Sequence, residues 1–230
     1  MQEPNTKPLV IEARGLKKTY QRGKEQVEAL RGVDMAIPTG SFVVIVGPSG
    51  SGKSTLLHIL GGIDKPSAGH VRVQGMALES ASEKELTLFR RDNIGFIFQF
   101  YNLLPSLNAL DNVILPLLAQ GRRRGKAREI GQSMLEQVGL SHRREHNPAQ
   151  LSGGEQQRVA IARAMVVEPA VILADEPTGD LDSASAESVV ELMRDLNQRK
   201  GATFIIATHN QQWARYAGLV YELHDGQIRS

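Results

Sequence analysis

The 230-residue chain contains no cysteine. Disulfides, thiolate nucleophiles and cysteine-ligated zinc are therefore excluded, and the absence fits a reducing compartment. Aromatic residues are sparse, at 5% with a single tryptophan, which argues against a surface that stacks successive bases of a single strand. An excess of either charge is missing too. Lys and Arg number 27 against 25 Asp and Glu, and the resulting +2 is too small for a non-specific nucleic-acid binder. No nucleic-acid partner is expected. No apolar run approaches the about 20 residues of a membrane-spanning helix. The longest are Phe42–Val46, Val113–Ala119 (broken by Pro116) and Ala170–Ala174. The amino-terminal MQEPNTKPLVIEARG lacks the apolar stretch of a secretory leader. The expectation is a soluble chain that stays where it is made.

What is present is ordinary globular composition, 41% hydrophobic and 23% charged, in a chain long enough for one large domain or one with a subdomain. Leu9–Ile11, Lys17–Tyr20 and Val33–Ile37, separated by Gly15, Gly23 and Gly32, predict short antiparallel hairpins. Phe42–Val46 is a continuous apolar run, the mark of a strand buried on both faces. It leads into a glycine-rich turn and a helix over Thr55–Leu60 that stops at Gly61-Gly62. Val71 and Val73 alternate with polar residues in a half-exposed strand. Ile130, Met134 and Val138 mark one face of a helix over 126–138. Val171–Ala174 and Thr203–Ala207 read as buried strands, joined by a helix carrying Ala186, Val189, Val190, Met193 and Leu196. Strand, helix, strand with β-branched runs predicts a parallel sheet covered by helices.

Three motifs carry chemistry. Gly47-Pro48-Ser49-Gly50-Ser51-Gly52-Lys53-Ser54, directly after the buried strand, fits G-x-x-x-x-G-K-[ST]. Its glycines let backbone N–H groups converge on a phosphate, with the positive end of the next helix behind them. Lys53 is placed to neutralise the β- and γ-phosphates, and the Ser54 hydroxyl to hold Mg²⁺. The strand Val171–Ala174 ends in Asp175-Glu176, two carboxylates at the edge of a sheet where ligands bind. Asp175 is a candidate to bind Mg²⁺ through its water shell, and Glu176 a candidate general base for the attacking water. The third motif is Leu151-Ser152-Gly153-Gly154-Glu155-Gln156-Gln157-Arg158, ahead of the apolar helix Val159–Val167. Ser152 and Glu155 alone suggest a capping box. The added Gly153-Gly154 suggests a second anion site at a helix start. Spacing alone does not say whether both loops grip the same nucleotide.

At these residues the sequence resembles the ATP-binding cassette (ABC) ATPases, from Leu9 to Ile228. LSGGEQQR is that family's signature, and the remaining elements follow in its order. The resemblance assigns Tyr20 to stacking on adenine and Gln99, after the strand Ile94–Phe98, to sensing Mg²⁺ and water. It places Thr55 with the phosphate loop, Asp182 in a loop that communicates across a dimer, and His209 at the γ-phosphate. It implies an α/β fold, a RecA-like P-loop NTPase core with an amino-terminal antiparallel β-subdomain and an inserted helical subdomain. One nucleotide-binding domain spans 1–230, with its core at 1–94 and 159–230 and the helical part at 95–158. It also implies ATP hydrolysis, with ATP and Mg²⁺ as ligands, by a head-to-tail homodimer. Each ATP lies between one subunit's P-loop and the other's Ser-Gly-Gly.

The chain ends soon after His209, and compact ABC subunits resemble those that dock on separately encoded membrane permeases. FIFQFYNLLPSLNALDNVILPL and AQLSGGEQQRVAIARA look most like a bacterial group that includes lipoprotein-release, macrolide-export, peptide-resistance and cell-division systems. Partners implied are a second copy, an integral membrane permease and a periplasmic adaptor, at the cytoplasmic face of the bacterial inner membrane. A signalling ATPase that moves no substrate remains an alternative. DNA-repair and translation ATPases are disfavoured, because neither a long coiled-coil insertion nor a tandem cassette is present. Absence of an N-K-x-D motif disfavours a GTPase. His142 and His146, four apart in a segment with weak helical signal, read as a solvated loop rather than a metal site. The basic run Arg122–Arg128 reads as a solvated loop and helix start, with lipid headgroups or an acidic surface as the alternative. Phe100-Tyr101-Asn102-Leu103-Leu104-Pro105, with Leu107, Leu110, Val113, Ile114, Leu115 and Leu117, exceeds what one helix face needs. The surplus either fills a helical subdomain or lines a cleft beside Gln99 for a permease helix.

Overall fold

Two long strands stand where short hairpins were expected. In the computed structural model, which describes residues 7–23 and 25–229, β1 (Leu9–Arg22) pairs antiparallel with β2 (Glu25–Pro38). The first six residues of the amino-terminal segment read above lie outside the described residues. Gly15 and Gly32 do not turn the chain. Both sit at positive φ, +55° and +100°, where the β1–β2 register shifts, so each makes a bulge and the strand continues. Only Gly23 marks a hairpin turn. The far side of β1 pairs with β4 (Ala68–Val73), which pairs with β5 (Met76–Ala77), completing a four-stranded antiparallel sheet in the order β2-β1-β4-β5.

The second sheet carries the site. Its strands are β3 (Phe42–Val46), β6 (Ile94–Phe98), β7 (Val171–Asp175), β8 (Thr203–Thr208), β9 (Leu219–His224) and β10 (Gln227–Arg229). They lie in the order β10-β9-β3-β8-β7-β6, all parallel except the β9–β10 hairpin. All five residues of β3 are buried, and their alternation feeds two cores. Phe42, Val44 and Val46 pack with the helical side, Val43 and Ile45 with the antiparallel sheet. A continuous apolar run is the pattern such a strand requires. β6 remains paired with β7 through Phe98, so residues 95–98 belong to the sheet and the helical segment follows from Gln99.

That segment holds α3 (Ala109–Ala119) and α4 (Arg124–Gln137), and leads into α5 (Gly153–Met165). The other helices are α1 (Lys53–Leu60), α2 (Glu83–Asn93) and α6 (Ser183–Lys200). The start of α2 is fixed by a Ser82–Glu85 capping box. The two histidines do not share a helix face. His142 is exposed on the short turn Ser141–Arg143, and His146 Nε2 lies 3.2 Å from the Arg143 guanidinium. Much of the basic run is ion-paired within the segment: Arg124 and Arg128 both reach Asp111, at 3.0 and 3.2 Å, and Lys126 reaches Glu129 at 2.8 Å.

Glycine matters where α5 crosses the sheet. A methyl group on Gly95 of β6 would stand 2.5 Å from both the Ala164 carbonyl oxygen and Ile172 Cδ1. Backbone cannot yield cheaply, so Gly95→Ala is expected to destabilise the fold by about 1–3 kcal/mol, the usual cost of overpacking. Denaturant unfolding checks it, and an unchanged midpoint would show that α5 can retreat.

Candidate functional site

Parallel pairing brings the chemistry to one edge. The carboxyl ends of β3, β8, β7 and β6 lead respectively to the glycine-rich loop, His209, Asp175-Glu176 and Gln99. Ligands bind at such edges in open α/β sheets. The acids stand one strand removed from the phosphate loop, with β8 between β3 and β7.

The phosphate loop is wedged between sheets. Gly52, at φ +104°, caps α1, and a Cβ there would meet the Ala29 carbonyl oxygen at 2.4 Å. On Gly47 it would meet that of Leu223 at 2.1 Å. Gly50, at φ +78°, together with Pro48 and Ser49, forms the exposed crest. The exposed Ser54 lies in the first turn of α1 and Thr55 follows, partly covered. Lys53, whose side chain is 6% exposed, folds back to donate to the Gly47 and Pro48 carbonyls at 2.8 and 3.0 Å. A buried ammonium with two carbonyl partners is a charge stored for an anion.

Glu176 takes a left-handed conformation, φ +47°, fixed by its N–H donating to the Ala207 carbonyl at 2.9 Å. That turn aims its carboxylate between two cationic candidates. Oε1 lies 3.6 Å from Lys53 Nζ, and Oε2 lies 3.0 Å from His209 Nδ1 while accepting the His209 N–H at 3.3 Å. The strain of such a residue outside glycine is of the kind concentrated at working sites. Beside it, Asp175 Oδ1 is buried without a hydrogen-bond partner, and so is Ser51 Oγ. An orphaned carboxylate oxygen beside a phosphate loop fits a hard cation. Ser54 and Asp175 would hold Mg²⁺, which would supply charge neutralisation to a bound triphosphate. Gln99 has another occupation here: its amide donates to Asp180 Oδ1 at 3.1 Å and packs on Gly179.

Tyr20, 38% exposed, donates its hydroxyl to Asp64 Oδ2 at 2.7 Å. Asp182 is the N-cap of α6, accepting from the Ala184 and Ser185 amides at 3.1 and 3.0 Å. Its pKa is held low by the Ser185 hydroxyl and amide. Ser152 caps α5 in a full capping box: its oxygen accepts the Glu155 N–H at 3.3 Å, and Glu155 Oε2 accepts the Ser152 N–H at 2.9 Å. The local reading of the motif therefore holds, and Gly153 and Gly154 form the first turn, whose N–H groups lack helical partners. Glu155 is held below its usual pKa, first by the Ser152 amide and also by Arg143, 3.0 Å away.

Several contributors escaped the sequence reading. Asp64, Asp180 and Arg143 meet their partners only through long-range folding. Arg163 donates to the Tyr101 and Asn102 carbonyls at 2.8 and 2.6 Å, both residues being at positive φ, and burial lowers its pKa. The one signal was the Arg163 charge inside an apolar helix stripe.

A family model described as ABC transporter matches residues 30–179. The chain belongs to this family, as an ATP-binding, ATP-hydrolysing cassette subunit of a transport complex. It is 48% identical over 220 residues to the lipoprotein-releasing system ATP-binding protein LolD of Legionella pneumophila (strain Paris), covering 96% of this chain and 97% of that one. The protein of the same name from Saccharophagus degradans is 48% identical over 219 residues, 95% and 96% of the two chains. Among solved structures, the dimeric post-hydrolysis state of the ATP-binding cassette MJ0796 bound to ADP and Pi superposes with TM-score 0.88 at 42% identity. That match covers 96% of this chain and 97% of the other.

Proposed function

We propose that this chain is the ATP-hydrolysing motor of a membrane complex that releases lipoproteins, and that it works as a head-to-tail pair. The observation that carries the reading is 48% identity held across 96% of the chain to a protein named for lipoprotein release. Two solved relatives described as dimeric, each at TM-score 0.88, support the paired state. In the pair, each ATP lies between one copy's Gly47–Thr55 loop and the other's Ser152–Gly154. Glu176 is the general base, His209 orients it and faces the γ-phosphate, and Gln99 leaves Asp180 to meet Mg²⁺ and water. Binding closes the pair and hydrolysis reopens it, driving a separately encoded permease. No helix among the described residues is long and apolar enough to cross a membrane. In this reading the permease holds the chain at the cytoplasmic face of the bacterial inner membrane, with a periplasmic adaptor beyond. Reconstitution with the permease in lipoprotein-loaded vesicles tests this. ATP-dependent release supports it, and permease-stimulated hydrolysis without release rejects it.

The surplus apolar residues do not share one environment. Leu110, Val113, Ile114 and Leu117 are core, whereas Phe100 is 72% and Leu104 46% exposed. Asn112, fully buried, anchors the loop between them, accepting the Leu104 N–H at 2.8 Å and donating to three carbonyls. A cleft of about 520 Å³ beside that loop is lined by Phe96, Phe98, Asn102, Pro116 and Arg163 among others, and Phe100 and Leu104 stand outside its lining. The permease segment is taken to dock on this exposed loop, over Phe100 and Leu104, next to the cleft. Leu104→Ser should leave hydrolysis by the isolated subunit within about twofold while removing most of the permease's stimulation, since one apolar anchor is worth about 1.5–3 kcal/mol. Equal loss of both activities would show that Leu104 supports the subunit's own structure and reject the docking role. Tyr101 is unsuited to the same test, because its hydroxyl lies 3.0 Å from where a Gly153 Cβ would sit.

A further inference from the structure

Tyr20 belongs to a cluster that shares one carboxylate. Asp64, just past the end of α1, accepts the Tyr20 hydroxyl at Oδ2, 2.7 Å away. At Oδ1 it accepts the Lys18 ammonium at 2.6 Å and the Lys65 backbone N–H at 2.7 Å. Lys18 Nζ donates also to the Lys65 carbonyl at 2.7 Å, and it stands over the Tyr20 ring, 4.8 Å from the centroid. These groups are partly withdrawn from water, the Lys18 side chain being 12% exposed and that of Asp64 30%.

A tyrosine on an open surface samples several rotamers, and freezing it against a ligand costs affinity. Here the hydroxyl bond fixes the ring's tilt before any ligand arrives. The ammonium occupies one face by a cation–π contact, which leaves the opposite face for an incoming aromatic group. We propose that Asp64 and Lys18 are positioning residues that hold Tyr20 as a one-sided platform for the adenine of ATP. This rests on the reading of Tyr20 as the base-stacking residue. Burial works to raise the Asp64 pKa, but the bonds from Lys18, Tyr20 and the Lys65 amide outweigh it and keep the carboxylate charged. Burial, then Asp64, push the Tyr20 phenol up, so the hydroxyl stays a donor.

The test measures affinity of the full chain for Mg-ATP and for Mg-tripolyphosphate, which carries phosphates and no base. Tyr20→Phe keeps the ring and removes the tether, Asp64→Ala removes the acceptor, and Asp64→Asn is the milder variant should the alanine fold poorly. Each is expected to weaken ATP about three- to tenfold, less than the full worth of a hydrogen bond to a charged group because the ring itself remains to stack. Tripolyphosphate affinity should not move, and the Tyr20→Phe/Asp64→Ala double variant should be no worse than either alone. Tyr20→Ala should weaken ATP further. If Tyr20→Ala weakens ATP while Tyr20→Phe and the Asp64 variants do not, the platform stands and the positioning role is overturned. Equal weakening of tripolyphosphate in the Asp64 variants overturns it as well, by showing damage to the phosphate loop. If Tyr20→Ala leaves ATP affinity unchanged, the base-stacking reading itself fails, and this proposal with it.

Discussion

Glu176→Gln is expected to bind ATP normally and to turn it over about 10²–10⁴-fold more slowly, the usual loss when a general base is removed. The replacement is nearly isosteric, so the left-handed turn and the N–H bond to Ala207 remain. An amide oxygen can still accept from His209, but it cannot take a proton from water. What disappears is the negative charge between Lys53 and His209. ATP should then persist between two copies, and a stable dimer should appear with Mg-ATP in size-exclusion chromatography and vanish with ADP. Phosphate release within a few-fold of the unmodified protein would remove Glu176 from the role of base.

The second large effect concerns the shared site. Ser152→Arg places a long cation at the start of α5 and removes its cap, which costs about 1 kcal/mol of stability. Hydrolysis should fall to background, with nucleotide binding by the single chain little changed, because no contact links Ser152 to the Gly47–Ser54 loop of its own chain. Lys53→Ala should be inactive for a separate reason, the loss of the phosphate-binding ammonium. Mixed, the two variants form heterodimers in which one of the two sites joins an intact P-loop to an intact Ser-Gly-Gly. That site should recover part of the activity. No recovery, with heterodimers shown by differential tagging, would falsify the head-to-tail arrangement. Recovery also disposes of the objection that a lost cap alone explains the defect.

The legible parts of this chain were those in which a local pattern has one physical meaning. Phe42–Val46 followed by GPSGSGKS admits few geometries, and the structure places that strand at the centre of the parallel sheet. The helix over 126–138 is observed at 124–137, and the one read at 159–167 at 153–165. The latter begins earlier because the glycines are its first turn. Less legible were residues whose meaning depends on what lies across from them. A glycine among strand residues reads as a turn, yet Gly15 and Gly32 are bulges because the strand on the other side continues. The apolar stretch 100–117 could not be divided by periodicity, because loop and helix residues contribute to it together. Asp64 and Asp180 carry no local signal for the partners that folding gives them, Tyr20 and Gln99, 44 and 81 positions away.

The two serine capping boxes in this chain differ by one hydrogen. At α2, Ser82 donates its hydroxyl proton to Glu85 Oε2 at 2.6 Å, so the pair is closed on itself. At α5 the same motif is looser: Arg143 holds Glu155 Oε1 at 3.0 Å, Oε2 takes the Ser152 amide, and the Ser152 hydroxyl, which still helps hold the Glu155 pKa down, makes no contact as short as that of Ser82. The oxygen of Ser152 holds the helix, and its proton is less tightly engaged than that of Ser82. Aspartate would cap α5 as well but would present only negative charge, and alanine would present nothing. Serine is thus a cap that keeps a hydroxyl proton to give, and Arg143, a residue outside the motif, competes for the glutamate that would otherwise hold that proton.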